Sequence, residues 1–224
     1  MAGRRIGWLG DWGGAFPMQT GILPLCQAAL AAMAAQGAKV EAVAPPFPAD
    51  DIWQAWVTLR AFANAARLGP LYDDPAKRRQ LKAAAIWEIE RGRALSLAEI
   101  EQASLIRSRW YAHAARLLVR FDALALPSAQ VWPFPLAQEY PREIAGQAMD
   151  TYHRWMAVVV PASLIGLPAL ALPAGFGRQD LPMGLQLIGR HGDDAGLLQL
   201  AQAWHLAGGQ ARQGLPPMLQ ATRD

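Results

Sequence analysis

Cysteine, lysine and histidine are all scarce in this chain of 224 residues, which has one Cys, three Lys and four His. A single thiol, Cys26, allows neither an internal disulfide framework nor a multi-cysteine metal site, and it suits a reducing compartment. Packing is its expected role. The short apolar stretch after Arg4 and Arg5 is broken at Asp11, so it fits neither a secretory leader nor a membrane span. A soluble cytoplasmic protein is the expectation. There is no dense basic block either. The net charge of +3 comes from 18 Arg and three Lys spread against 18 acids, which argues against a nucleic-acid groove. Neither an internal repeat nor a linker is visible, so residues 1–224 are read as one domain. With 53% hydrophobic and 17% charged residues the chain can bury a substantial core.

The order of elements is that of an α/β domain. Arg5 to Leu9 reads as a buried strand. A glycine-rich loop follows, then a helix with Leu23, Cys26, Leu30 and Met33 on one face, which Gly37 stops. Lys39 to Val43 alternates like a second strand parallel to the first. From Asp50 to about Arg120 the chain is mostly helical, with Trp53, Trp56, Leu59 and Phe62 at helical spacing. Asp73-Asp74-Pro75 starts one helix. Ser96-Leu97-Ala98-Glu99, a capping box, starts another whose apolar positions include Ile100, Leu105, Trp110 and Leu117. Phe121 to Leu126 is a short strand ended by Pro127, and the proline-rich segment to Pro141 is an irregular loop carrying Trp132, Phe134 and Tyr140. A helix from about Ile144 to Leu164 leads to strands at Ala169–Pro173 and Met183–Ile188. Asp193 caps a last helix bearing Leu197, Leu200 and Trp204, and Gly208-Gly209 ends it.

Several clusters invite a functional reading that the pattern does not support. Gly7, Gly10, Gly13 and Gly14 have neither dinucleotide-binding nor P-loop spacing, and suit a structural turn. His191, Asp193 and Asp194 lack a second nearby histidine, and Asp193 has a role as a helix cap, so no metal is expected. His113 and His153 sit in helical sequence beside aromatics or arginine with no nucleophile near them, and packing is the expected role. Trp53, Trp56, Trp87, Trp110 and Trp204 recur at core spacing. No cofactor motif is present.

Three segments in order carry a resemblance. They are RIGWLGDWGG followed by GAKVEAVAPP, then FDALALPSAQ, and then VVVPASLIGLPALALPAGF followed by LPMGLQLIGR and an Asp-led helix. The third is the most specific. Its glycines and prolines admit tight entry into adjacent strands, and the residues between them belong in a sheet covered on both faces. Together they resemble the carboxyl-terminal portion of the amidase-signature hydrolases. The resemblance implies a mixed, mainly parallel sheet flanked by helices. It also implies hydrolysis of a carboxamide by a serine, activated through a second, cis-peptide serine and a lysine.

A lysine acts as such a base only where burial or a neighbouring charge lowers its pKa. Lys39, Lys77 and Lys82 lack the expected setting, and Ser96, Ser104, Ser108, Ser128 and Ser163 are all isolated, with no Ser-Ser or Gly-Ser-Ser-Gly segment. The resemblance places those three residues in the family's amino-terminal half, so no catalytic residue is assigned here, and hydrolysis is expected only when such a half is present. The half in hand would supply pocket walls, with Trp132, Trp155, Met156 and Ser163 as the substrate-binding candidates. Met156 stands where glutamine-using relatives place a carboxylate, so an aromatic or aliphatic amide is expected instead. Apolar strand edges left open should recruit the other half or a second copy. Two other readings compete: a non-catalytic binding or scaffold protein derived from an amidase, and an unrelated hydrolase using Ser163 or Cys26.

Overall fold

A computed structural model describes residues 1–208 of the chain. Gly209, the second half of the stop expected after the last helix, lies outside the described residues. Of the described strands, β1 (Arg5–Trp8), β2 (Lys39–Ala42) and β3 (Ala123–Pro127) belong to the main sheet. A separate hairpin is made by β4 (Glu143–Ile144) and β5 (Gln147–Ala148). The main sheet is completed by β6 (Ala169–Phe176) and β7 (Pro182–Ile188), in the order β2-β1-β3-β7-β6. The pair β1–β2 and the pair β1–β3 are parallel, whereas β3–β7 and β6–β7 are antiparallel. Four strands therefore run one way and only β7 runs against them, which gives the expected mixed sheet. The central strand β3, ALALP, is buried along its whole length, as a strand covered on both faces must be.

Helix α1 (Ile22–Ala35) covers one face of the sheet. On the other face lie α2 (Ala49–Asp73) and α5 (Leu97–Arg120), joined through the short α3 (Pro75–Arg78) and α4 (Ala83–Arg93). The short α6 (Val160–Ile165) packs beside them. The last helix, α7 (Asp194–Leu206), returns to the first face, where Ile22, Cys26, Leu30 and Met33 meet Leu185, Leu187, Leu197 and Trp204. Asp74 caps α3, accepting hydrogen bonds from the Ala76 and Lys77 amides, with Pro75 in the first turn. Ser96 and Glu99 form the reciprocal capping box of α5, and Asp193 caps α7 through the Gly196 amide. Each cap satisfies helix-end amides that would otherwise lack partners.

The buried stripes run through small residues that hydrophobicity alone does not mark. In α5 the inward face is Ala103, Ile106, Trp110, Ala114 and Leu118, and Leu105 points outward. In α2 it runs Ile52, Ala55, Thr58, Ala61 and Asn64, leaving Phe62 exposed. Alanine on these faces allows close helix packing. Trp87, expected in the core, is 41% exposed.

The largest departure from expectation lies between Ile144 and Leu164. Instead of one helix there is the β4–β5 hairpin, then a 3-10 segment, Arg154–Val159, and only then α6. Ala145 and Gly146 turn the hairpin, both at positive φ, which a continuous helix forbids. Pro161 tolerates only the first turn of a helix, so α6 begins there. Gly166 ends α6 in the left-handed conformation, at φ 63°.

The α2–α4 crossing depends on one glycine. A Cβ at Gly92 would run into the Ala61 carbonyl oxygen and lie 2.6 Å from the Ala65 Cβ. Gly92→Ala must push α4 off α2, and overpacking of this kind costs about 1–3 kcal/mol. Urea denaturation should show that loss, and an unchanged midpoint would mean that the crossing is not close-packed.

Candidate functional site

Because β1, β3 and β6 run in one direction, the loops that follow them leave from one end of the sheet: residues 9–21, 128–142 and 177–181. In open α/β sheets this end is where ligands bind. The first two loops are tied to each other and to the 3-10 segment by Gln130, whose side chain is wholly buried. Its Nε2 donates to the Pro17 carbonyl at 3.0 Å, and its Oε1 accepts from the Val158 amide at 3.0 Å. Its backbone carbonyl accepts from the Gln19 amide at 2.9 Å. Gln19 returns the link, its Oε1 accepting from the Trp132 amide at 2.8 Å.

Within the first loop, Trp12 sits at φ 61°, strained for a side chain of this size. Compensation comes from burial: its indole packs on Phe16 and Trp110, and its Nε1 donates to the Phe47 carbonyl at 2.8 Å. Asp11 accepts from the Gly14 amide and tightens the same turn. Gly10, Gly13 and Gly14 serve the turn at positive φ, whereas Gly7, grouped with them in the sequence, lies within β1.

Trp132 forms one wall of a cavity of about 620 Å³ whose other walls include Pro24, Leu25, Ala28 and Leu181. Its indole is held by a hydrogen bond from Nε1 to the Thr20 carbonyl and lies directly over Gly177, where there is no room for a Cβ. Arg178 borders the cavity and makes no ion pair among the described residues. The adjoining end of α1, at Gly21, has no capping side chain, but its Ile22 amide donates to the Gln19 carbonyl and Pro24 has no N–H. The cavity is thus a largely apolar slot bordered by one guanidinium.

The other three sequence candidates do not join Trp132 there. Trp155 packs edge-on against Phe134 at 5.5 Å, in a small cluster with Val131, Ile144 and Met149, and its Nε1 is buried without a hydrogen-bond partner. Met156 is half-buried at the kink of the 3-10 segment. Ser163 is exposed on α6. The hairpin and kink that replace the expected helix separate them.

A second polar cluster has no mark in the sequence as a unit. The buried Glu88 carboxylate of α4 accepts from Arg60 Nε, from Asn64 Nδ2 at 2.7 Å and from His153 Nε2 at 3.1 Å. His153 is also wedged edge-on between Trp56 and Tyr152. This supports the packing role expected of it and adds an ionic partner 65 residues away in sequence. Burial alone would raise the Glu88 pKa, but the bonds from His153 and Arg60 outweigh it and hold the carboxyl below the usual range. A cavity of about 340 Å³, bordered by Trp87, Tyr140 and Arg142, opens beside His153. No nucleophile is in contact with this cluster among the described hydrogen bonds, so it reads as a clamp between α2, α4 and the 3-10 segment. Elsewhere, His113 stacks edge-on against Phe47.

The thiol reading fails on chemistry. Cys26 is buried against the sheet with Sγ 3.8 Å from the Gly184 carbonyl, and burial pushes its pKa to about 12. A thiol held protonated is no nucleophile.

Sequence reasoning singles out Trp132 but neither Gln130 nor Glu88. Nothing local marks a glutamine as buried. The only available hint is its position just beyond a fully apolar strand.

The family model described as Amidase matches residues 2–198. Over 96 residues the chain is 38% identical to a putative amidase of Synechocystis sp. (strain ATCC 27184 / PCC 6803 / Kazusa), a match covering 42% of this chain and 19% of that protein. Over 89 residues it is 38% identical to a glutamyl-tRNA(Gln) amidotransferase component of Myxococcus xanthus (strain DK1622), covering 40% of this chain and 17% of that one. A bacterial aryl acylamidase of the amidase signature enzymes shares the fold with a TM-score of 0.81 at 24% identity, over 92% of this chain and 44% of the relative. The chain thus spans less than half the length of each of these relatives. Among the described residues no helix is long and apolar enough to cross a membrane.

Two measurements test this architecture. Gln130→Leu leaves the Pro17 carbonyl and the Val158 amide buried without partners, at about 1–3 kcal/mol each, so thermal unfolding should shift down by several degrees. An unchanged transition would show that the loops do not depend on it. For Glu88, the depressed folded pKa means that its stabilisation is present above the ordinary carboxylate range and is lost as pH falls through the lower, folded value. Acid titration should release α4, and Glu88→Gln should flatten that part of the stability profile. Identical acid profiles for the two proteins would exclude the clamp.

Proposed function

Since the chain belongs to the amidase family, we propose that it forms the sheet-completing, pocket-walling portion of an amide-hydrolysing protein whose lysine and two serines lie outside this sequence. The observation that carries this reading is the apolar slot at Trp132, at the sheet end where three strands deliver their loops. The family match supports a carbon–nitrogen hydrolase framework around the slot.

The substrate class proposed is a small aromatic or aliphatic amide. Trp132, Pro24 and Leu25 offer an apolar surface, and Arg178 can hold the amide oxygen as charge develops on it. Trp155, Met156 and Ser163 belong to the same proposal as a second part of the wall, reached from the Phe134 side. The unpaired Trp155 N–H supports a polar contact there. The absence of a carboxylate at Met156 supports an acyl group other than glutamine. A cytoplasmic location belongs with this reading and rests on the single buried thiol.

Alone, the purified chain should hydrolyse no aryl amide. When it is co-expressed with the amino-terminal half of an amidase, hydrolysis should appear and should be blocked by a serine-directed inhibitor. Trp132→Ala should then lower kcat/KM about tenfold or more, as expected for removing a large aromatic wall. Turnover by the chain alone, surviving the inhibitor control, overturns the division of labour. A complex that forms but never hydrolyses leaves the scaffold reading in its place.

A further inference from the structure

Helix α5 carries two of the most exposed aliphatic side chains among the described residues, Leu97 at 87% and Val119 at 80%. They stand about 33 Å apart along the helix axis and share one face. Leu97 and Ser104, Glu101 and Ser108, and Ala112 and Val119 are pairs seven residues apart, two turns of helix, so the six form one stripe. It runs opposite the buried face of Ala103, Ile106, Trp110 and Ala114, turned away from the sheet. Between its aliphatic ends the stripe is small. The Ser108 hydroxyl donates back to the Ser104 carbonyl at 2.9 Å, which occupies its donor within its own helix.

The charges on this face are unmatched within the chain. Glu99 is bridged to Arg91 and Arg120 to Glu41, whereas Glu101 and the neighbouring Arg116 have no ion pair among the described residues. Glu101 lies seven residues before Ser108 and Arg116 eight residues after it, so acid and base are nearly equidistant from that serine. Let a second α5 lie antiparallel across the first, with Ser108 facing Ser108. Glu101 of each copy then meets Arg116 of the other, Leu97 meets Val119, and Ser104 meets Ala112. A parallel arrangement sets Glu101 against Glu101 and is disfavoured by repulsion.

We propose that the outward face of α5 is a self-complementary interface through which two copies of this chain associate about a two-fold axis at Ser108. A two-fold contact requires a patch that fits itself when reversed, and the order apolar, acid, small, base, apolar does so. An unrelated acidic partner would answer Arg116 and leave Glu101 opposed. Arg109 stands about a quarter turn round the helix from the stripe, where solvent screens it. A face about 36 Å long and about 10–12 Å wide offers roughly 400 Å² per copy. That is at the low end for specific association, so the dimer should be weak and reversible. The interface lies across the sheet from α1 and the Trp132 cavity, and does not depend on the catalytic reading.

Sedimentation equilibrium of the purified chain, from about micromolar to about millimolar concentration, should show a reversible monomer–dimer equilibrium. Glu101→Arg leaves two arginines on the face and Arg116→Glu leaves two glutamates. Each variant alone should dissociate at a concentration about tenfold higher or more. Their equimolar mixture should pair, because each arginine of one variant then meets a glutamate of the other. The double variant carrying both changes should dimerise like the parent. Ser108→Cys should cross-link on mild oxidation, since Cys26 is buried, whereas Lys39→Cys on exposed β2 should not. A chain that stays monomeric at every concentration overturns the proposal. So does a dimer indifferent to both charge reversals, which must form through another surface. Single variants that remain monomeric even when mixed overturn it as well.

Discussion

The buried carboxamide of Gln130 is the point on which the candidate site depends. Three loops leave one end of the sheet, and loops carry backbone groups that must find partners once water is excluded. Gln130 donates to Pro17 and accepts from Val158 through one planar group, and its own carbonyl holds Gln19. A glutamine can do this because it offers donor and acceptor at opposite corners without charge, so burial carries no ionic penalty. Trp132 inherits its position from that arrangement, through Gln19 and Thr20 on one side and the bare face of Gly177 on the other.

A second, ionic node fixes the helical layer. Glu88 lies between Arg60, Asn64 and His153, which come from a long helix and from a distant irregular segment. A carboxylate is stable in such a place only when its lone pairs are matched by donors. The clamp also explains why the segment from Arg154 to Val159 is a kinked 3-10 stretch: His153 must turn inward, and the chain bends at Met156 before Pro161 restarts a regular helix. The same bend carries Trp155 toward Phe134 and away from the Trp132 cavity.

The two edges of the sheet differ in their chemistry. At β2 Glu41 is bridged by Arg5 and Arg120, as suits an edge that resists further pairing, whereas β6, ALALPAGF, carries no charge.

Much of the fold is legible in the sequence. The strands at Arg5, Lys39, Ala123, Ala169 and Pro182, the caps at Asp74, Ser96 and Asp193, and the α/β order follow from local rules of period and capping that need no distant partner. The family likeness is carried by a contiguous stretch around Gly166 to Gln186, where glycines and prolines constrain the backbone itself. Tertiary structure alone decided the rest. The helix expected from Ile144 became a hairpin and a kink, since Ala145-Gly146 can turn two strands only where Val131 and Met149 offer Ile144 a cluster to join. Alanines took the buried stripes of α2 and α5, because close approach of helices rewards small side chains rather than hydrophobic ones. The partners of Gln130 and Glu88 depend on which distant residues are brought within hydrogen-bonding distance. That is a property of the packed chain and has no local signature.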